Sequence, residues 1–275
     1  MHIPENVVKD FQRDGAVLLK GVFSQEWVDK VQEGIRKNLE NPSQYGESLK
    51  VKEGEGAYFD DYCNWKWIDE FRDYAFNSPA AEIAAKLLNS KQISFYHEHV
   101  LNKEPGTSKI TPWHHDQSYY PIDGFKVCSL WMPINHIPLH TSIQFVAGSH
   151  RWPEWFHPRK FASEKNYPLK KGETTKIERQ YVDIPVNDIN AGKWPILQWE
   201  CEPGDVVVFH MKTVHGAPGN NSTTTHRKVI STRWLGDDAV LATRPWDISP
   251  PITGGLQPGQ RVICDTFPLI YTQPE

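Results

Sequence analysis

The chain has 275 residues, 39% of them hydrophobic, and a formal net charge of −4. That length suits one elaborated β-rich domain with a substantial core. The mild acidity argues against the basic surface that nucleic acid or an anionic membrane would need. No apolar run approaches a membrane span. The first residues, from Met1 to Glu5, carry neither a basic nor an apolar leader, so a cytoplasmic protein is expected. Cys63, Cys128, Cys201 and Cys264 are scattered at spacings that match no zinc or redox motif, and reduced thiols are expected. With 11 Trp the chain is rich in large rings, which build a core or line a pocket for a small molecule.

Val7, Val8 and Phe11 share a helical stripe that Gly15 ends, and residues 16–19 form a short apolar strand. Ser24 is a good N-cap. Trp27, Val28, Val31, Ile35 and Leu39 follow it at helical spacing, with Pro42 just beyond. A later helix is predicted to start at Ser78-Pro79 and run to Leu88. From residue 93 the texture changes. Residues 93–101, 127–132, 142–146, 206–210 and 228–232 read as strands, punctuated by Gly106, Pro121, Gly148, Pro203-Gly204 and Gly219. Many short strands with turn signals indicate a sandwich or barrel. Residues 151–200 interrupt the rhythm, and 151–180 hold eight Lys/Arg against four Glu. That run reads as a solvated insertion or as a lid steering an anionic substrate. A single domain over 1–275 is expected, with helices over about 4–90, a β core over about 93–240 and an insertion over about 151–200.

The stretch Thr111-Pro112-Trp113-His114-His115-Asp116-Gln117 places two histidines against a carboxylate. On an extended strand, residues i and i+2 share a face with Cα atoms roughly 6.6 Å apart. His114 and Asp116 can then meet on one ion, while His115 points to the other face. Downstream, a turn at Pro203-Gly204-Asp205 leads into an apolar strand followed by His210 and His215, either of which could complete a set of two imidazoles and one carboxylate. Such a set, with open positions, suits non-haem Fe(II) oxygen chemistry; zinc could use the same ligands. Arg227 and Arg233, six residues apart, fall on one face of a following strand. An arginine there is costly unless it meets an anion, and its fork matches a carboxylate.

The segments "NKEPGT" from Asn102, "PWHHDQSYYP" from Pro112, "SLW" from Ser129, "IQFVAGSHRW" from Ile143, "PGDVVVFHMKTVHGAPGNNS" from Pro203 and "RKVIS" from Arg227, in this order, resemble the phytanoyl-CoA dioxygenase family of Fe(II)/2-oxoglutarate-dependent oxygenases. The resemblance spans roughly residues 5–240 and is weakest in the N-terminal helices and the insertion. It implies a mainly β fold with flanking helices around a double-stranded β-helix, a jelly roll of cupin-like form. It implies His114, Asp116 and His215 as iron ligands, Arg227 as the partner of the distal carboxylate of 2-oxoglutarate, and Trp131 and His99 beside that co-substrate. Iron, 2-oxoglutarate and O₂ would then hydroxylate a C–H bond of a small molecule, with succinate and CO₂ as co-products.

Retention of Asp116 argues against halogenation, because related halogenases place a small residue there. Desaturation, ring closure and demethylation could use the same iron. Gln117, Tyr119 and Tyr120, just past the ligands, are candidate substrate contacts, with Arg233 as the second arginine. Trp113, His97, His136 and His150 read as structural. Asp60-Asp61 beside Tyr62, Trp65 and Trp67 suggests a cationic substrate, whereas the basic insertion suggests an anionic one. A metal-binding cupin-like protein without catalysis is the reading from a different class. A zinc hydrolase would need a general-base motif such as His-Glu-x-x-His, which is absent.

Overall fold

Two β-sheets face one another in the computed structural model, which describes residues 2–172 and 180–274. The larger sheet has the order β1 (Ala16–Leu19), β12 (Val206–His210), β7 (Val127–Pro133), β14 (Arg227–Leu235), β4 (Gln92–Lys103), β3 (Tyr58–Tyr62), β2 (Glu47–Leu49), and β16 (Leu269–Thr272) also pairs with β4. The smaller sheet has the order β11 (Ile196–Gln198), β8 (Gln144–Val146), β13 (His215–Ala217), β5 (Thr111–His114). Two short pairs complete the strands: β6 (Ile122–Asp123) with β15 (Val240–Leu241), and β9 (Trp155–Phe156) with β10 (Tyr181–Val182). This is the expected mainly β jelly roll with flanking helices.

Alternation along the large sheet sorts its side chains to two faces. On β14, Arg227, Val229, Ser231 and Arg233 face the small sheet and line a cavity. Ile230 and Trp234 turn the other way, into a core shared with the helices. The same sorting sends His97, His99 and Leu101 of β4 inward and Val100 outward, and a register shift at Tyr96 turns Phe95 outward as well. Between the sheets, Trp131, Val207, Phe209 and Val229 pack on Ile143 and Phe145. Both faces of the large sheet are thus buried, the outer one apolar and the inner one divided between apolar packing and the polar cavity wall; β12 and β7 read as nearly continuous hydrophobic runs.

The helices α1 (Glu5–Asp14), α2 (Gln25–Glu40), α3 (Asp69–Asn77) and α4 (Ala80–Leu88) cover the outer face; a short α5 (Val186–Asn190) lies elsewhere. Gly15 ends α1 in the left-handed region at φ 80°, and its N–H donates to the Phe11 carbonyl at 2.8 Å. Ser24 sits at the expected cap position of α2 with extended backbone, yet its side chain caps nothing. At α4 the Ser78 hydroxyl accepts the Ala80 N–H at 3.3 Å, with Pro79 between them.

Several elements depart from the sequence reading. Helix α3 and strands β2 and β3 were not anticipated. The large sheet takes β1, β2, β3 and β16 from outside residues 93–240. Asp60, Asp61 and Tyr62 lie on a strand, so Asp60 and Asp61 part company. Asp60 lines the cavity, whereas Asp61 accepts from Asn38 and Ser43 on the other side. Trp65 packs in the helical core and Trp67 stands exposed, so neither joins Asp60. The cysteines are free thiols. Part of the basic run, Lys176 and Arg179 included, lies outside the described residues. Among the described residues no helix is long and apolar enough to cross a membrane.

Candidate active site

Strand β5 ends at His114, and extended backbone continues through His115 at φ −125° and ψ 142° before Asp116 starts a 3-10 turn. The alternation therefore holds for the residues that matter. His114 and Asp116 line the cavity, and His115 turns away to pack on Trp155 and Phe156, with ring centroids 5.6 and 5.3 Å apart. Strand β13 pairs with β5 so that His215 stands directly opposite His114. The ligand atoms of His114, Asp116 and His215 lie within 4.8 Å of one another, and all three residues are buried. His136, Glu200 and Glu202 form the other such group among the described residues, but all three are exposed.

The donor set fits a divalent metal. The His114 Nδ1 meets the Pro112 carbonyl at 2.7 Å and the His215 Nδ1 meets the Thr213 carbonyl at 2.8 Å. Carbonyls only accept, so each Nδ1 carries the proton and each Nε2 presents a lone pair. Burial, helped by His114, pushes the His215 pKa down to about 3, so the ring is neutral. The carboxylate is divided in role. Asp116 Oδ2 accepts from Ser129 Oγ at 2.8 Å and from Arg233 Nη2 at 3.4 Å. Oδ1 is left facing His114 Nε2 at 3.4 Å and His215 Nε2 at 3.6 Å. Burial alone would raise the Asp116 carboxyl, but the Arg233 guanidinium outweighs it and holds it well below the usual range.

His210 does not belong to this group. Its Nε2 meets the Phe125 carbonyl at 2.7 Å and its Nδ1 accepts from the Lys212 N–H at 2.9 Å. The two arginines have different partners. Arg233 reaches Asp116 and also donates to the Tyr120 hydroxyl at 3.0 Å. Arg227 is buried and has no carboxylate partner among the described residues. It donates to the Thr141 and Pro218 carbonyls, and burial pushes its pKa down to about 10. A buried guanidinium without an anion is an incomplete arrangement. Trp131, His99, Tyr119 and Tyr120 line the same cavity.

Gln117 is a correction. It is fully buried, and its Nε2 donates to the Gly124 carbonyl at 2.9 Å and the Ile122 carbonyl at 3.2 Å. It pins the turn behind Asp116 and does not line the cavity. His97 differs from its expected structural role, because it lines the cavity with Nδ1 unpartnered. Trp113 packs in a small core with Val146 and Phe156, and His150 meets the Gln12 carbonyl at 3.3 Å, as structural residues would.

Ser129, Tyr58 and Lys103 were missed from the sequence. The period-two relation of Ser129 to Trp131 puts both on the inner face of β7. Lys103 donates to the Pro218 carbonyl at 2.8 Å beside Arg227 and lies 4.7 Å from the Tyr58 ring. A lysine ending an apolar strand was the available signal.

The sequence profile of the phytanoyl-CoA dioxygenase (PhyH) family matches residues 11–229. Similar sequences include a "Probable phytanoyl-CoA dioxygenase" of Caenorhabditis elegans, 24% identical over 255 residues, covering 83% of this chain and 74% of the relative. The ectoine dioxygenase of Stutzerimonas stutzeri (strain A1501) is 24% identical over 257 residues, covering 87% and 80%. Among solved structures, the non-heme alpha-ketoglutarate-dependent carbocyclase SnoK from nogalamycin biosynthesis superposes with a TM-score of 0.74 at 20% identity, covering 98% of this chain and 96% of that one. EctD from S. alaskensis with 2-oxoglutarate and 5-hydroxyectoine gives 0.67 at 17% identity, covering 99% and 86%. At these identities the structural likenesses speak for the fold. The profile match spans most of the chain: it belongs to the phytanoyl-CoA dioxygenase (PhyH) family, and it is a non-haem iron, 2-oxoglutarate-dependent dioxygenase.

Proposed function

We propose that this enzyme hydroxylates a C–H bond of a small-molecule substrate, within a single oxygenase domain spanning the chain. His114, Asp116 and His215 would hold the iron, and Arg227 the distal carboxylate of 2-oxoglutarate. The observation that carries the reading is the meeting of three buried ligand atoms in a cavity whose wall also holds a buried arginine lacking an anion. Bound there, iron with 2-oxoglutarate and O₂ supplies a two-electron oxidation of a C–H bond, with succinate and CO₂ as co-products.

The chain's own residues position and insulate. The Pro112 and Thr213 carbonyls orient the two imidazoles. Ser129 and Arg233 turn Asp116 so that one oxygen is free for metal. Trp131 and His99 line the wall and would lie beside the co-substrate, and His99 is steadied by Asp60 at 3.2 Å. Tyr119, Tyr120 and Phe161 close apolar surface around the reacting atoms and keep water away. Tyr119 is held by its hydroxyl, which donates to the Arg159 carbonyl at 2.6 Å. The free thiols suit a reducing compartment such as the cytoplasm.

The test begins anaerobically, with Fe(II) and 2-oxoglutarate added to the protein. A weak visible charge-transfer band is expected. Its absence, with no succinate formed from any of a panel of small molecules, would leave a non-catalytic metal-binding protein as the better account. Product mass then decides the outcome: gain of one oxygen atom marks hydroxylation, and loss of two hydrogens marks desaturation or ring closure.

A further inference from the structure

The substrate end of the cavity carries an unusual pairing. Strands β2 and β3 place Glu47 directly opposite Asp60, and both side chains line the cavity. Like charges facing each other across a strand pair destabilise it. Asp60 is buried and its described partner is His99, which reaches Oδ1. Neither carboxylate forms an ion pair with Lys or Arg among the described residues. Around them stand three phenol rings. Tyr45 stacks on Tyr62 at 4.9 Å, and Tyr62 meets Ser249 Oγ at 3.1 Å. Tyr167 lines the wall that the cavity shares with an outer pocket, as does Glu47. Deeper in, His97 is buried, and its Nδ1 has no hydrogen-bond partner.

We propose that the enzyme recognises its substrate through a positively charged nitrogen, seated between Glu47 and Asp60 and against the faces of Tyr45, Tyr62 and Tyr167. The proposal rests on the oxygenase reading above and names the substrate class for that same cavity. A cation there relieves the repulsion between the carboxylates and is attracted by the ring quadrupoles. The unpartnered nitrogen of His97 accepts or donates a hydrogen bond to a polar group further along the ligand. Of the basic residues near the mouth, Lys160 shares the outer pocket with Asp247, and two others are turned onto carbonyls. Arg159 turns its guanidinium onto the Glu164 carbonyl at 2.9 and 2.8 Å, and Lys109 donates to the Ala162 carbonyl at 3.2 Å.

Paired ligands that differ in charge provide the test. Choline is compared with 3,3-dimethylbutan-1-ol, and 2-phenylethylamine with 2-phenylethanol, with 3-phenylpropionate as the anion. Binding to the full chain carrying Fe(II) and 2-oxoglutarate under nitrogen is read by calorimetry. At least one cation is expected to bind tenfold or more tightly than its neutral partner and than the anion. Glu47→Gln should remove most of that preference while the iron charge-transfer band persists, and Asp60→Asn should likewise remove most of the preference. Equal binding within both pairs, tighter binding of the anion, or a preference unchanged in both variants overturns the proposal. Calorimetry reads the preference whether or not the band forms. A missing band with the cation preference intact would therefore overturn the oxygenase reading and leave the cation site standing.

Discussion

At the scale of single residues, the two adjacent histidines of the ligand segment carry the clearest contrast. His114 presents Nε2 to the group that includes Asp116 and His215, and His115 is buried against Trp155 and Phe156. His114→Ala is expected to abolish iron binding, measured by metal content after reconstitution. His115→Ala should retain iron while losing about 2 kcal/mol or more of stability from the void it leaves. Equal loss of iron in both would defeat the alternation argument. Ser129 donates to Oδ2 of Asp116 and leaves Oδ1 facing the two imidazoles. Ser129→Ala should weaken iron affinity about tenfold, because partners of this kind orient ligands without touching metal. Arg227→Ala should raise the 2-oxoglutarate requirement at least about tenfold with iron content unchanged. If steady-state kinetics show no change in that requirement, the co-substrate role passes to Arg233.

At the scale of elements, strand periodicity was the reliable guide and edge strands were the weak point. Strand β14 places Arg227 and Arg233 on one face because the regular pleat survives over those residues; its irregularity comes only after Arg233. Strands β2 and β3 escaped notice because Glu47–Leu49 is three residues long and Tyr58–Tyr62 carries two acids in its middle. The strand character of β3 comes from pairing with β4, a non-local partner that local propensity does not encode, and that of β2 from pairing with β3. The turn between α1 and β1 was legible from Gly15, and the structure adds a second reason for glycine. A Cβ there would lie 2.3 Å from His150 Nδ1 and 2.6 Å from Thr213 Oγ1, at a φ of 80° that L side chains rarely adopt. Gly15→Ala should therefore lower unfolding free energy by about 2 kcal/mol or more, read from urea denaturation, through both strain and overpacking.

At the scale of the whole molecule, buried histidines tie stability to pH. Burial, with a contribution from His150, pushes the His210 pKa down to about 3. Burial likewise pushes His150 down to about 4. The unfolded chain takes up a proton near pH 6.5, which folded His210 refuses until about pH 3. Its stabilising contribution is thus complete above pH 6.5 and is lost as pH falls towards 3. His210→Gln should flatten the loss of stability between pH 7 and 5 by about 2 kcal/mol, measured by denaturant titration at both pH values. The cavity is also a product of the whole chain. Ser249 and Pro250 close one side of it, and Trp246 braces the ligand turn by donating to the Ser118 carbonyl at 2.9 Å. All three lie beyond the stretch that carries the family motifs. By itself the sequence determined the helical stripes, the long apolar strands, and the pairing of His114 with Asp116, because each follows from spacing along one segment. Motif order added His215 and Arg227. Only the tertiary structure decided that Gln117 faces its own turn, that Asp60 leaves Asp61 to join the cavity, and that Glu47 stands opposite it. Those placements depend on which strands become neighbours, and that is set by packing two sheets and four helices together.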